Sequence, residues 1–376
     1  MISPETMMKF NDIKTAPRSA LRSRSGNVAL AALLLALAAC GSSNDDNSAS
    51  TPAVTPVTPA TLAPKVVVIN MFGGEAAPFK EPLALTRKVT VKGLSSRYPD
   101  VLCNTDDVCQ ITTDMGYANA AASISALLYN SKLDLRQTYF IIAGIAGINP
   151  KLGTVGSAAW AKYAVDYSIA HEIDAREIPA GWAYGYFGVN TASPTEKPSF
   201  DYHTEVFKLN AALADRAYAL SKGVQLSDSA EAQAFRARYP QAPANQPPAV
   251  IQCDTASGDT WFAGNTLATR AEDWSRLLTD GAAAYCTTQQ EDNSTLEALR
   301  RGAAAGRVDF NRVMIVRSGS DMDRPYPGQS NSDVVVNYAE QGGFVPATRN
   351  LQLTTAPVIR EIVANWGNWS KGLPAQ

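Results

Sequence analysis

The chain predicts an α/β domain: a central mixed β-sheet flanked by helices on both faces. Two observations carry this. Apolar runs of strand length alternate with helically periodic segments, and glycines and acids cluster where the apolar runs stop. From Lys65 onward the composition is even and shows no internal repeat, so one large domain over residues 65–376 is expected.

Residues 66–70 (VVVIN) read as a buried strand that ends in Gly73-Gly74. Residues 108–113 form a second strand, followed by a turn at Gly116 and an alanine-rich helix over 118–129. Residues 139–143 form a third strand, leading into a turn at Gly144-Ile145-Ala146-Gly147. Residues 157–166 alternate as a strand, and 205–222 carry helical spacing at Val206, Leu209, Leu213 and Ala217. Further strands are expected at 249–253, 285–288 and 312–317. Helices follow at 272–278, 295–305 and 356–366.

The amino-terminal segment has a different character. Arg18, Arg22 and Arg24 precede the apolar run 28–39 and the sequence Ala38-Ala39-Cys40. A basic segment, a short apolar segment and small residues before a cysteine form an export signal of the lipoprotein type, 1–39, with lipidation at Cys40. About 20 apolar residues are needed to span a bilayer, and this run is shorter. Residues 40–64 are polar and then rich in Thr and Pro, the composition of a disordered tether. The expected location is therefore the cell envelope, membrane-anchored on the periplasmic or cell-surface side.

The net charge is −2, and losing 1–39 removes five Lys and Arg against two Asp and Glu. That acidic balance argues against nucleic acid as a partner. No further apolar run reaches spanning length, so any membrane-crossing step needs a transmembrane partner. Cys103 and Cys109 flank a turn-rich loop between two β-prone runs, where a disulfide would close a hairpin; Cys253 and Cys286 read as buried thiols. His171 and His203 are isolated, so neither a metal nor another cofactor is expected.

In open sheets of this kind ligands sit beyond the carboxyl ends of the strands. Those positions hold Glu75, Asp114-Met115-Gly116, Gly144 to Gly147, Ser257-Gly258-Asp259, Gln290-Glu291 and Arg317 to Asp321. The segments MFGGEAAPF (71–79), VCQITTDMGYANAAAS (108–123), TYFIIAGIAGINP (138–150), EIDAREIP (172–179), TEVFKLN (204–210), CDTASGDTW (253–261), TTQQEDNSTLEAL (287–299) and VRSGSDMDRP (316–325) together resemble the purine nucleoside permease family. That family shares the fold of the nucleoside phosphorylase and nucleosidase superfamily, and the resemblance covers nearly all of 65–376.

The resemblance implies scission of a purine–ribose bond. Asp321 matches the superfamily's acid, which protonates N7 of the leaving base, with Arg317 beside it to orient it. The alternative for this pair is a turn cap with a salt bridge. Glu291, with Gln290 beside it, matches the carboxylate that grips the ribose hydroxyls, a role compatible with capping the following helix. Trp261 takes the place of the aromatic that stacks on the base, with Phe262 as its alternative. Asp259, Gly116, Gly144 and Gly147 complete the expected binding set. Glu75 stands where nucleosidases keep the base that activates water; otherwise it is a solvated loop acid. Asp114 lies in the anion-cradle loop with no arginine near it in sequence. A carboxylate there repels phosphate, so hydrolysis is favoured over phosphorolysis.

Three readings follow: a protein that binds purine nucleosides and supports their uptake, a purine nucleosidase or phosphorylase proper, and a non-catalytic lipoprotein that retains only the fold. Superfamily subunits often complete one another's sites, so the resemblance also implies a homo-oligomer.

Overall fold

The computed structural model describes residues 61–375. The expected signal, Cys40 and the tether up to residue 60 lie outside the described residues. Leu62 is already fixed: its N–H and C=O bond to Lys132 and Asp134, and its side chain is buried. The folded domain thus takes in the last residues assigned to the tether.

In chain order the elements are β1 (Val66–Asn70), α1 (Gly73–Lys80), β2 (Arg87–Thr90), β3 (Asp100–Cys103), β4 (Val108–Thr112), α2 (Tyr117–Tyr129), β5 (Tyr139–Ile148), β6 (Ala158–Ala161), β7 (Tyr163–Asp166), β8 (His171–Glu172), β9 (Tyr186–Phe187) and β10 (Val206–Lys208). Then come α3 (Ala211–Ser221), α4 (Ala230–Arg236), β11 (Val250–Gln252), β12 (Asp254–Ser257), α5 (Asn265–Leu278), β13 (Tyr285–Gln289), α6 (Asp292–Ala304), β14 (Val313–Met322), α7 (Asn331–Val336), α8 (Phe344–Ala364) and α9 (Trp366–Trp369).

Twelve strands make one mixed sheet, in the order β10-β7-β12-β13-β5-β1-β4-β3-β2, with β14 joining β5 to β6 and β6 continuing to β11. β1 runs parallel to both β4 and β5, and β14 runs parallel to β5. Side-chain alternation along β1 sends Val67 and Ile69 to one face and Val66 and Val68 to the other. The first pair packs with Ile124 and Leu127 of α2 and Leu296 and Leu299 of α6. The second packs with Phe79 of α1, Leu213 of α3 and Leu351, Val358 and Ile362 of α8. Helices therefore cover both faces, as the sequence pattern requires.

Several elements differ from expectation. Residues 144–147 are no turn: β5 continues through them to Ile148, and β14 likewise runs on to Met322. The expected strand over 157–166 breaks into β6 and β7 at Lys162, whose N–H donates to Asp254. The helix expected from 205 begins at Ala211. Val206 to Lys208 instead pair with β7, and Asn210 caps α3 by accepting from the Leu213 N–H. Two glycines and Pro78 lower the helix propensity of α1, which Phe79 holds by packing into the core. Cys103 and Cys109 are joined across β3 and β4. Cys253 and Cys286 are also joined, where separate thiols were expected, because the β12–β13 pairing brings them side by side.

Ile69 sits on the strand flanked by two parallel neighbours, with no exposure. Ile69→Ala should lower unfolding free energy by ~2–5 kcal/mol, read as a reduced urea midpoint at unchanged slope.

Candidate active site

The site follows from strands of unequal length. β1 stops at Asn70, level with Ala143 of β5, while β5 runs on for five more residues. The Ile145 N–H and C=O beyond that point have lost their neighbouring strand, and side chains take over the pairing. Asn70 Nδ2 donates to the Ala143 carbonyl (2.7 Å), Glu75 Oε1 accepts from the Ile145 N–H (2.8 Å), and Arg317 Nη1 donates to the Ile145 carbonyl (3.1 Å). The other oxygen of Glu75 accepts from the Met71 N–H (2.7 Å). Glu75 is thus a buried acid on α1 rather than a solvated loop residue.

Arg317 is the hub. Its Nε lies 3.2 Å from both oxygens of Asp292, and its Nη2 reaches Asp292 (2.6 Å), Glu291 (3.3 Å) and Gln289 (3.3 Å). It does not orient Asp321, as had been expected. Along the extended β14 the two residues occupy different register positions, opposite Gly144 and Gly147 of β5. Gly144 makes room for the hub: a Cβ there would lie 2.3 Å from Arg317 Nη1 and 2.0 Å from Met71 Cε.

Asp321 is buried, accepts from the Ser320 hydroxyl (2.7 Å) and lies beside Gly147, whose added Cβ would sit 3.4 Å from Asp321 Oδ2. Ser320 also donates to the Ala146 carbonyl (3.3 Å). Glu75, Glu291 through Arg317, and Asp321 therefore all reach the same four residues of β5, Gly144 to Gly147.

The electrostatics are set by burial. Desolvation pushes the Glu75 carboxyl up to about 7; Arg317 opposes this and nearby Glu291 adds to it. Desolvation pushes Asp321 up to about 6, against the Ser320 hydroxyl and the Trp261 indole, with Asp323 adding to the rise. Glu291 and Asp292 are raised by the same cause. Burial works against the charge on Arg317, yet Asp292 and Glu291 outweigh it and raise its pKa.

The base-recognition candidates separate. Trp261 is 43% exposed and its ring meets Tyr338 at 4.5 Å. Phe262 is buried against Tyr167 at 4.9 Å. Gln290 donates to the Asp259 carbonyl (2.6 Å), and Asp259 accepts from the Tyr117 N–H (2.8 Å). The Gly116 N–H donates to Glu291 (3.1 Å). Asp114 has φ +74° and is paired with Arg97, so an arginine does stand at this loop, seventeen residues upstream and invisible to local spacing.

Sequence reasoning also missed Asp292, although it sits next to Glu291 in QQEDNS. Asp292 opens α6, and its partner, Arg317, is 25 residues away on β14. Among the described residues no group of three or more His, Cys, Asp or Glu is arranged to hold a metal ion. A cavity of about 490 Å³ lined by Pro64, Asp134, Arg136, Gln137 and Trp366 lies before the starts of β1 and β5, at the amino ends of the strands, and contains none of these residues.

The Glu75 shift has a consequence for stability. The unfolded carboxyl loses its proton near 4.5 and the folded one near 7. Between these values the unfolded state binds fewer protons, so stability falls as pH rises, by ~3 kcal/mol at most from this group. Chemical denaturation from pH 4.5 to 8 should show that decline. Glu75→Gln should flatten it in part, leaving the share that the other raised carboxyls, Asp321, Glu291 and Asp292 among them, contribute with the same sign.

The chain matches the family model described as purine nucleoside permease over residues 63–374. It is 40% identical over 313 residues to a purine nucleoside permease of Candida albicans, covering 82% of this chain and 77% of that protein. It is 40% identical over 320 residues to a probable purine nucleoside permease of Schizosaccharomyces pombe, covering 82% and 91%. Among solved structures, a 5′-methylthioadenosine/S-adenosylhomocysteine nucleosidase of Neisseria meningitidis shares 14% identity at a TM-score of 0.49, covering 80% of this chain and 99% of that one. Futalosine hydrolase of Helicobacter pylori shares 11% at 0.48, covering 79% and 98%. Similarity at that level does not bear on residue roles.

These findings correct the expected location. The matched relatives are fungal proteins named permeases, so the expected periplasmic or cell-surface location does not stand; Cys40 itself lies outside the described residues. Among the described residues no helix is long and apolar enough to cross a membrane. The match spans almost the whole described domain, and the chain belongs to the purine nucleoside permease family.

Proposed function

We propose that this domain binds purine nucleosides at the carboxyl edge of its sheet, cleaves their N-glycosidic bond with water, and so supports nucleoside uptake. One observation carries the reading: three buried carboxylates, on α1, at the end of β13 and on β14, reach one four-residue stretch of β5.

The chemistry follows from their environments. Protonated Asp321 donates to N7 of the base, and the electrons of the C1′–N9 bond pass to the departing purine. Water adds to C1′, and Glu75 takes its proton. Glu291 accepts hydrogen bonds from the ribose hydroxyls while Arg317 holds it in place. A group lifted to about 6 and one lifted to about 7 are both poised for proton transfer near neutral pH. Trp261, half exposed at the rim, or buried Phe262 supplies the aromatic face for the base. Crossing a membrane falls to a partner protein in this scheme, the domain acting on the captured nucleoside.

Calorimetry with adenosine, guanosine and inosine should show binding; absence of heat with all three at millimolar concentration would sink the reading. Release of free base should fall by a factor of ~10²–10⁴ in Asp321→Asn, the span of general acid catalysis. The kcat/KM profile should be bell-shaped, with limbs at about 6 and about 7, because the productive pair needs Asp321 protonated and Glu75 ionised.

A further inference from the structure

The start of α2 has the form of an anion cradle, with three successive N–H groups at one helix N-terminus beside the carboxylate hub. Each of the three is already taken by a carboxylate of this chain. The Met115 N–H donates to Asp114 (3.0 Å), the Gly116 N–H to Glu291 (3.1 Å) and the Tyr117 N–H to Asp259 (2.8 Å). The neighbouring start of α1 is filled too: the Gly73 N–H donates to the Tyr98 hydroxyl (3.0 Å) and the Met71 N–H to Glu75.

The segment Ser95 to Tyr98 serves both ends. Tyr98 takes Gly73, while the Ser95 hydroxyl (2.9 Å) and Arg97 Nε (2.8 Å) donate to Asp114. Asp114 holds a left-handed backbone at φ +74°, a conformation that favours glycine, so its side chain is kept there at a conformational cost. That cost is met by the Arg97 and Ser95 contacts and the Met115 N–H.

We propose that Arg97 and Asp114 form a latch that selects water over inorganic phosphate as the nucleophile. Asp114 occupies the Met115 N–H of the cradle and engages the Arg97 guanidinium, which is then not free to meet an incoming anion. Phosphate would have to displace carboxylates from N–H groups they already hold, against their charge. Water needs no such cradle. The inference rests on the nucleoside-cleaving reading above.

The variant Asp114→Gly tests it. Glycine suits φ +74°, frees the Met115 N–H and releases the Arg97 guanidinium. The wild type should release base at a rate insensitive to phosphate at constant ionic strength, with free ribose as the second product. Asp114→Gly should bind phosphate by calorimetry and release base about tenfold faster in its presence, the effect of one charge-assisted hydrogen bond. The product should then shift to ribose 1-phosphate, the phosphate oxygen forming the bond to C1′. Arg97→Ala/Asp114→Gly should lose the phosphate effect, which a merely structural role for Asp114 would not predict.

Base release by the wild type that strictly requires phosphate overturns the latch, as does wild-type phosphate affinity equal to that of the variant. Absence of base release under every condition overturns the cleavage reading instead. In that case the phosphate titrations of wild type and variant still decide the latch. Circular dichroism of each variant confirms its fold, and the wild-type assays stand alone if a variant fails to fold.

Discussion

The arrangement depends on one buried guanidinium. Arg317 is almost fully enclosed on β14, and within its reach lie Asp292, Glu291 and the field of Glu75. Taking an ion from water costs several kcal/mol, repaid only where partners satisfy its donors in good geometry. Asp292 takes the Nε donor and one from Nη2, Ile145, Gln289 and Glu291 lie within reach of the others, and Asp292 is itself completely buried. A single positive charge cannot balance three carboxylates in so dry a place. Burial is the main reason Glu75 is held protonated up to about 7; Arg317, which bonds the other two and not Glu75, only partly offsets it, and nearby Glu291 adds to the rise. The same burial that weakens Glu75 as an anion makes it a base that titrates near neutral pH. Asp321 reaches a comparable state by a separate route: it sits away from the guanidinium, and burial raises it, with Asp323 adding to the rise.

Much of this was legible in the amino-acid order. The strand cores 66–70, 108–112 and 139–143 are apolar and β-branched, and their parallel pairing follows from the helices between them. The placing of Glu75, Glu291 and Asp321 beyond strand cores was readable for the same reason. What could not be read was how far β5 and β14 extend. Gly144, Gly147 and Gly319 look like turn residues by propensity, yet they serve as gaps in the strands, into which Arg317, Asp321 and Ile148 press. Propensity sees a missing side chain; only the fold shows whose side chain fills the space.

Pairings distant in sequence were illegible for a related reason. Arg97 and Asp114 belong to segments separated by β3 and β4, and Asp292, at the start of α6, is separated from Arg317 on β14 by the rest of that helix. A charge read alone in sequence carries its full repulsion, so Asp114 looked hostile to anions by itself. In the structure its charge is matched by Arg97, and what excludes an anion is the occupancy of the N–H groups beside it.

The geometry of the strand ends also bears on rigidity. Functional groups are commonly carried on loops, where several degrees of freedom remain. Here Arg317 and Asp321 stand on a continuous strand whose neighbour, β5, is bonded to it over nine register pairs. Glu75 is fixed by two backbone N–H groups from different segments, because it replaces the ladder partner that β1 no longer supplies to Ile145. A carboxylate held this way has little freedom to follow a displaced substrate, and it completes the sheet while standing ready for proton transfer. Removing it therefore disturbs two things at once, the backbone pairing and the titrating group. Only the pH dependence separates them, since a lost backbone bond shifts stability at every pH while a lost carboxyl changes its slope.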